Sequence, residues 1–176
     1  GRGMKVVHNE NELKESLPII KQEALSFFGS ESANDNWGWT DSDSKREFVL
    51  QGLNDGLAFL DITVPQKVIY LGKLLSSSNP SDWRDVKIYN NHAFVVSEAS
   101  NHGLQVFNLK RLLDLNEFKT FNEDYIVNDF GNAHNIAINT SSGFAYILGS
   151  ALYEGGPVFY DISIPEQPIL RGGFSD

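Results

Sequence analysis

From Asn36 onward, short apolar runs alternate with polar turns, the pattern of β-strands rather than of helices. Phe48-Val49-Leu50, Ala93-Phe94-Val95-Val96 and Phe144-Ala145-Tyr146-Ile147-Leu148 read as strands, each just upstream of a second apolar run opened by glycine. Those second runs are versions of one phrase. Gly56-Leu57-Ala58-Phe59-Leu60-Asp61-Ile62-Thr63-Val64-Pro65 returns as Gly156-Pro157-Val158-Phe159-Tyr160-Asp161-Ile162-Ser163-Ile164-Pro165, with a weaker copy at Gly103-Leu104-Gln105-Val106-Phe107-Asn108-Leu109. The first and last copies continue through Ile69 to Gly72 and through Ile169 to Gly172. Asn54-Asp55-Gly56 and Ser141-Ser142-Gly143 fit hairpin turns in which glycine supplies a positive φ.

Residues 1–32 follow a different pattern. Gly3-Met4-Lys5-Val6-Val7 is strand-like, and Asn9 with Glu12 has the spacing of a capping box. Leu13, Leu17, Ile20, Ala24 and Phe27 then form a helical stripe, kinked at Pro18 and stopped at Gly29. The chain therefore divides into a strand–helix appendage over 1–32 and a β-rich part over 33–176.

The phrase recurs at about 47 and 53 residues, close to the period of β-propeller blades. Each unit reads as four short antiparallel strands, which is a blade's content. The expected fold is mainly β, an incomplete propeller of about three four-stranded blades at 34–75, 81–121 and 131–174. A closed ring needs about four to eight blades, so three are expected to leave apolar strand faces open and to favour oligomers.

Composition narrows the function. With 41% apolar and 12% aromatic residues the chain is not a disordered one. A net charge of −9 with scattered Lys and Arg disfavours nucleic acid. There is no cysteine, so disulfides and thiolate metal sites are excluded. No apolar run approaches the ~20 residues of a membrane-spanning helix. Gly1 is not a natural initiator, so the lack of a secretion signal at the start carries little weight.

Chemistry concentrates at one repeated position. Arg84-Asp85 and His134-Asn135 stand at equivalent places at the head of the first strand of their units, and Asp35-Asn36 joins them if a longer turn is allowed in the first. Converging polar groups at a propeller mouth make a ligand site; the same residues could equally bridge adjacent units by hydrogen bonds and ion pairs. A metal site from His102, His134 and Asp85 is conceivable in three dimensions, although no two histidines have metal-ligand spacing. His92 reads as a turn residue before a strand, and His8 belongs to the appendage. Asp85 with Glu98 is a possible carboxylate pair. No Gly-x-Ser-x-Gly elbow is present. Trp37, Trp39 and Trp83 are expected to pack between blades rather than to stack on sugars. The expectation is a non-catalytic module without cofactor or metal.

Two resemblances extend this reading. Asn36-Trp37-Gly38-Trp39-Thr40-Asp41, Trp83-Arg84-Asp85-Val86-Lys87-Ile88-Tyr89, His92-Ala93-Phe94-Val95-Val96-Ser97-Glu98-Ala99 and Gly131-Asn132-Ala133-His134-Asn135-Ile136-Ala137 resemble the LVIVD-repeat β-propellers, and more closely the bacterial choice-of-anchor B surface proteins. The likeness covers nearly all of 34–176. It implies a secreted or cell-surface protein that binds a protein, glycan or envelope component, with further blades beyond Asp176. Ala151-Leu152-Tyr153 stands where relatives often carry cysteine. Gly1-Arg2-Gly3-Met4-Lys5-Val6-Val7 with Glu23-Ala24 and Phe27-Phe28-Gly29 resembles the biotin carboxylase subunit of the ATP-grasp family. That second likeness implies the alternative, a fragment of an ATP-dependent ligase. The chain then reads as a composite joined near Ser30–Ala33, by natural fusion or by an artefact of assembly.

Overall fold

The repeated phrase builds a repeated sheet. A computed structural model describes residues 25–175, and the expected strand and most of the expected helix of the N-terminal appendage lie outside them. Within them Leu25–Phe28 forms one 3-10 turn. Gly29 ends it at φ +65°, with Ser30 N–H donating to Leu25 O and Gly29 N–H to Ser26 O, the bonding of a Schellman cap. Strand makes up 46% of the described residues and helix 8%, so the fold is mainly β.

Strands β1 (Ala33–Thr40), β2 (Glu47–Leu53), β3 (Gly56–Asp61) and β4 (Ile69–Leu75) form an antiparallel meander. A second follows from β5 (Arg84–Tyr89), β6 (His92–Ser97) and β7 (Leu104–Asn108). The chain then adds β8 (Lys119–Phe121) parallel to β4 of the first sheet, and returns to close the second with β9 (Tyr125–Val127). The second unit, expected to end at 121, thus reaches Val127 and lends its connection to its neighbour. A third meander comprises β10 (Asn135–Asn139), β11 (Phe144–Leu148), β12 (Val158–Asp161) and β13 (Ile169–Gly173). Among the described residues no sheet closes on itself.

The two strongest copies of the phrase fold alike in detail. In each, the third strand meets the fourth with a register shift, between Phe59 and Leu60 and between Phe159 and Tyr160. In each, the aspartate that ends the third strand accepts a backbone N–H two residues on, Thr63 to Asp61 (2.9 Å) and Ser163 to Asp161 (3.1 Å). This Asx turn leads into a bonded turn at Val64–Lys67 or Ile164–Gln167. Asn108 does the same for Lys110 in the weaker copy.

The turn glycines differ from expectation in one case. Gly143 has φ +68° as a left-handed turn requires. Gly56 is not left-handed; it is glycine because a Cβ there would lie 2.2 Å from Leu74 O on the paired strand.

Two cores separate three sheets. The first holds Leu50, Leu57 and Phe59 against Val86, Ala93, Val95 and Phe107; the second holds Phe94, Val96, Leu104 and Val106 against Ile136, Ala145, Ile147, Val158 and Tyr160. β6 feeds both by alternation, which is why Ala93–Val96 is a continuous apolar run: a strand covered on both faces has no polar side. Phe107 stacks on Phe59 at 4.8 Å, and Phe121 from β8 meets both edge-on. Phe107→Ala is expected to cost about 3–5 kcal/mol through transfer and cavity terms, read as a lower urea midpoint at unchanged slope. An unaltered midpoint would mean that the aromatic stack does not hold the first two sheets together.

Candidate functional site

Strand β5 lies between β1 and β10, and the three first strands border one open cleft of about 460 Å³. Asp35 comes from β1, Arg84, Asp85 and Lys87 from β5, and Asn135 from β10, with Trp83 and His134 just ahead of their strands. Five of the six residues marked at the repeated position therefore line one cleft. Asn36 does not, and the register irregularity of β1 falls between Ala33 and Asn36.

Arg84 is buried and reaches back to the first sheet. Its Nε donates to Leu53 O (3.0 Å) and its guanidinium to Ser76 Oγ (3.0 Å). A further contact is to His102 Nε2 at 2.6 Å. Arginine has no acceptor, so His102 Nε2 carries the lone pair and Nδ1–H donates to Gly103 O (3.0 Å). His102 is wholly buried and neutral. Burial, then the Arg84 charge, push it down to about 4. Burial also lowers Arg84 to about 10.

Asp85, the next residue, reaches forward to the third sheet. Its Oδ2 accepts from Ile136 N (2.9 Å) and Asn135 Nδ2 (3.3 Å). Its Oδ1 is paired with Lys87, whose ammonium also meets Asp35 Oδ2 at 3.2 Å and lies 4.6 Å above the Trp37 ring. Burial and a hydrogen bond to Asp35 raise Asp85 above the usual carboxylate range. For Asp35 burial acts the same way, but the bonds from Asp85 and Lys87 outweigh it and hold that carboxyl below its ordinary value. Asp35 is the more exposed of the two, with 41% of its side chain open to solvent.

At the rim His134 Nδ1 is hydrogen-bonded to Glu98 Oε1. The expected pair of Asp85 with Glu98 is thus divided between different partners, and Asp35 is the carboxylate that meets Asp85. His102, His134 and Asp85 are likewise separately engaged, and among the described residues no group of three or more His, Asp or Glu could hold a metal ion. His92 bonds Asn90 O (2.7 Å) and Glu166 (3.3 Å), away from the cleft. The expectation that all three tryptophans pack between sheets needs correction. Trp39 is buried and stacks on Phe48 at 4.8 Å, while Trp37 is 42% and Trp83 55% exposed.

Sequence reasoning overlooked Lys87, and it considered His102 only as a conceivable metal ligand rather than as a partner of Arg84. Lys87 stands two residues from Asp85 on a strand, hence on the same face, and that spacing could have found it. Nothing local marks His102, eighteen residues away from Arg84.

No helix of the described residues is long and apolar enough to cross a membrane. No protein-family model matches the chain significantly, and neither does a curated protein or a solved structure.

The buried histidine sets a pH dependence. Between about 6.5 and about 4 the unfolded chain binds a proton at His102 that the folded chain refuses, so stability falls as pH drops through that window. By pH 4 the loss approaches about 3 kcal/mol. His102→Gln removes the titration and should flatten the fall of melting temperature with pH. Asp85 shifts the opposite way, with stability declining as pH rises through its raised pKa, but equally in both proteins. Identical slopes for the two proteins would refute a neutral buried His102.

Proposed function

We propose that the three sheets are successive blades of a β-propeller and that the chain is a non-catalytic binding module of a bacterial cell surface or its exterior. The observation that carries this reading is the convergence of β1, β5 and β10 on one polar cleft, the arrangement of innermost strands around a channel. The repeat supports it from the outside. Tyr146, Leu148 and Phe159 of the third sheet occupy the positions of Phe94, Val96 and Val106 in the second, which are fully buried against the third. A further sheet placed there would bury them in turn.

The charged groups of the cleft favour binding over turnover. Asp85 is held by Ile136, Asn135 and Lys87, so it serves its neighbours rather than a substrate. The bacterial surface setting comes from the LVIVD-repeat and choice-of-anchor B resemblance. The fluorescently labelled chain is expected to bind purified bacterial envelope saturably, displaced by unlabelled chain, and to turn over no ester, phosphoester or glycoside. Hydrolysis that disappears in both Asp85→Ala and His134→Ala would replace this reading with an enzyme, and failure to bind envelope would remove the surface assignment.

A further inference from the structure

Trp83 is placed as no packing role requires. Its backbone is fixed: Trp83 O accepts from Ser97 Oγ (2.9 Å) and Glu98 N (3.3 Å), and Trp83 N donates to Ser81 Oγ (3.3 Å). The indole nevertheless stands 55% exposed against the cleft. The repeat offers an internal control. The residue ahead of the first-strand head is Asn34 in the first unit and Ala133 in the third, so the architecture does not call for an aromatic there.

An exposed flat ring on a fixed backbone, beside polar groups, has the chemistry of carbohydrate recognition. The C–H bonds on one face of a pyranose are weakly positive and settle on the negative face of an indole. Hydroxyls around the ring edge are donors and acceptors together, and suit the mixed set that Asp35, Asn135 and His134 present. The volume of about 460 Å³ lies within the usual range for small-ligand sites.

Resting on the binding-module reading above, we infer that the cleft takes a neutral saccharide, stacked on Trp83 and hydrogen-bonded through Asp35 and Asn135. Neutral sugars are selected because the exposed Asp35 carboxylate repels uronates, whereas the Lys87 ammonium is already held by two aspartates.

The test is calorimetric titration of the full chain with neutral oligomers of glucose, mannose and N-acetylglucosamine, and with oligogalacturonate as the anionic counterpart. At least one neutral oligomer is expected to bind, and oligogalacturonate is not. Trp83→Ala should weaken that binding about tenfold or more, roughly 1.4 kcal/mol, while Trp83→Phe keeps most of it. Both substitutions change an exposed side chain, so their melting curves should match that of the unaltered chain. No binding of any neutral oligomer, unchanged affinity in Trp83→Ala, or preference for oligogalacturonate overturns the inference. Those failures are separable from that of the parent reading: envelope binding without saccharide binding leaves a module with another ligand, and saccharide binding without envelope binding leaves the site with another location.

Discussion

The architecture depends on two consecutive side chains of one strand. Successive residues of a strand point to opposite faces, so Arg84 and Asp85 leave β5 in opposite directions, one bonding the first sheet and the other the third. Apolar cores could slide, since burial has no direction. A buried arginine whose donors match Leu53 O, Ser76 Oγ and a lone pair of His102 permits a single register, as does a buried carboxylate on Ile136 N–H. Desolvating such charges is costly, and breaking one contact leaves the other partner stranded. The polar junction adds little to net stability; its contribution is to fix how neighbouring sheets sit.

The cleft follows from that junction. Because β5 spends Arg84 on the first sheet and Asp85 on the third, both neighbours are drawn up beside it and their strand heads meet in front. Lys87 then meets the two aspartates together, the exposed Asp35 and the buried Asp85. A ligand would therefore meet groups held in place by the contacts that join the sheets, with little ordering left to do on binding.

Local order was the legible part. The Gly29 stop and the strands of the units are short-range consequences of composition, while the Asp-x-Thr and Asp-x-Ser turns, though written twice in the chain, were not read as turns. The repeated polar position was also visible, because a fixed offset from a repeated strand maps to a fixed place in each sheet. What stayed hidden depends on distant partners. β8 reads like the end of the second unit, yet pairs with Gly72–Leu74 of the first. His102 has no local mark because its role is set by Arg84. Trp39 and Trp83 are the same residue type in similar strand-rich surroundings, and only the tertiary fold buries one and exposes the other.

The two outer faces of the sheet stack are finished differently. On the first sheet, Lys73 is buried under the segment that follows the 3-10 turn, donating to Asp55 (2.6 Å), Ser30 Oγ (2.8 Å) and Phe28 O (3.4 Å). Phe27 and Phe28 also close over Tyr70, with ring centroids at 5.5 and 5.2 Å. A lysine serves there because three acceptors surround it; a sheet packed on that face would have to replace all of them. The third sheet is finished with Tyr146, Leu148 and Phe159, apolar side chains that make no such directional demand and suit the face of another sheet. The stack thus has a polarity: growth by sheet-on-sheet packing is compatible with the third sheet as it stands, and with the first only after the segment around Ser30 has been displaced.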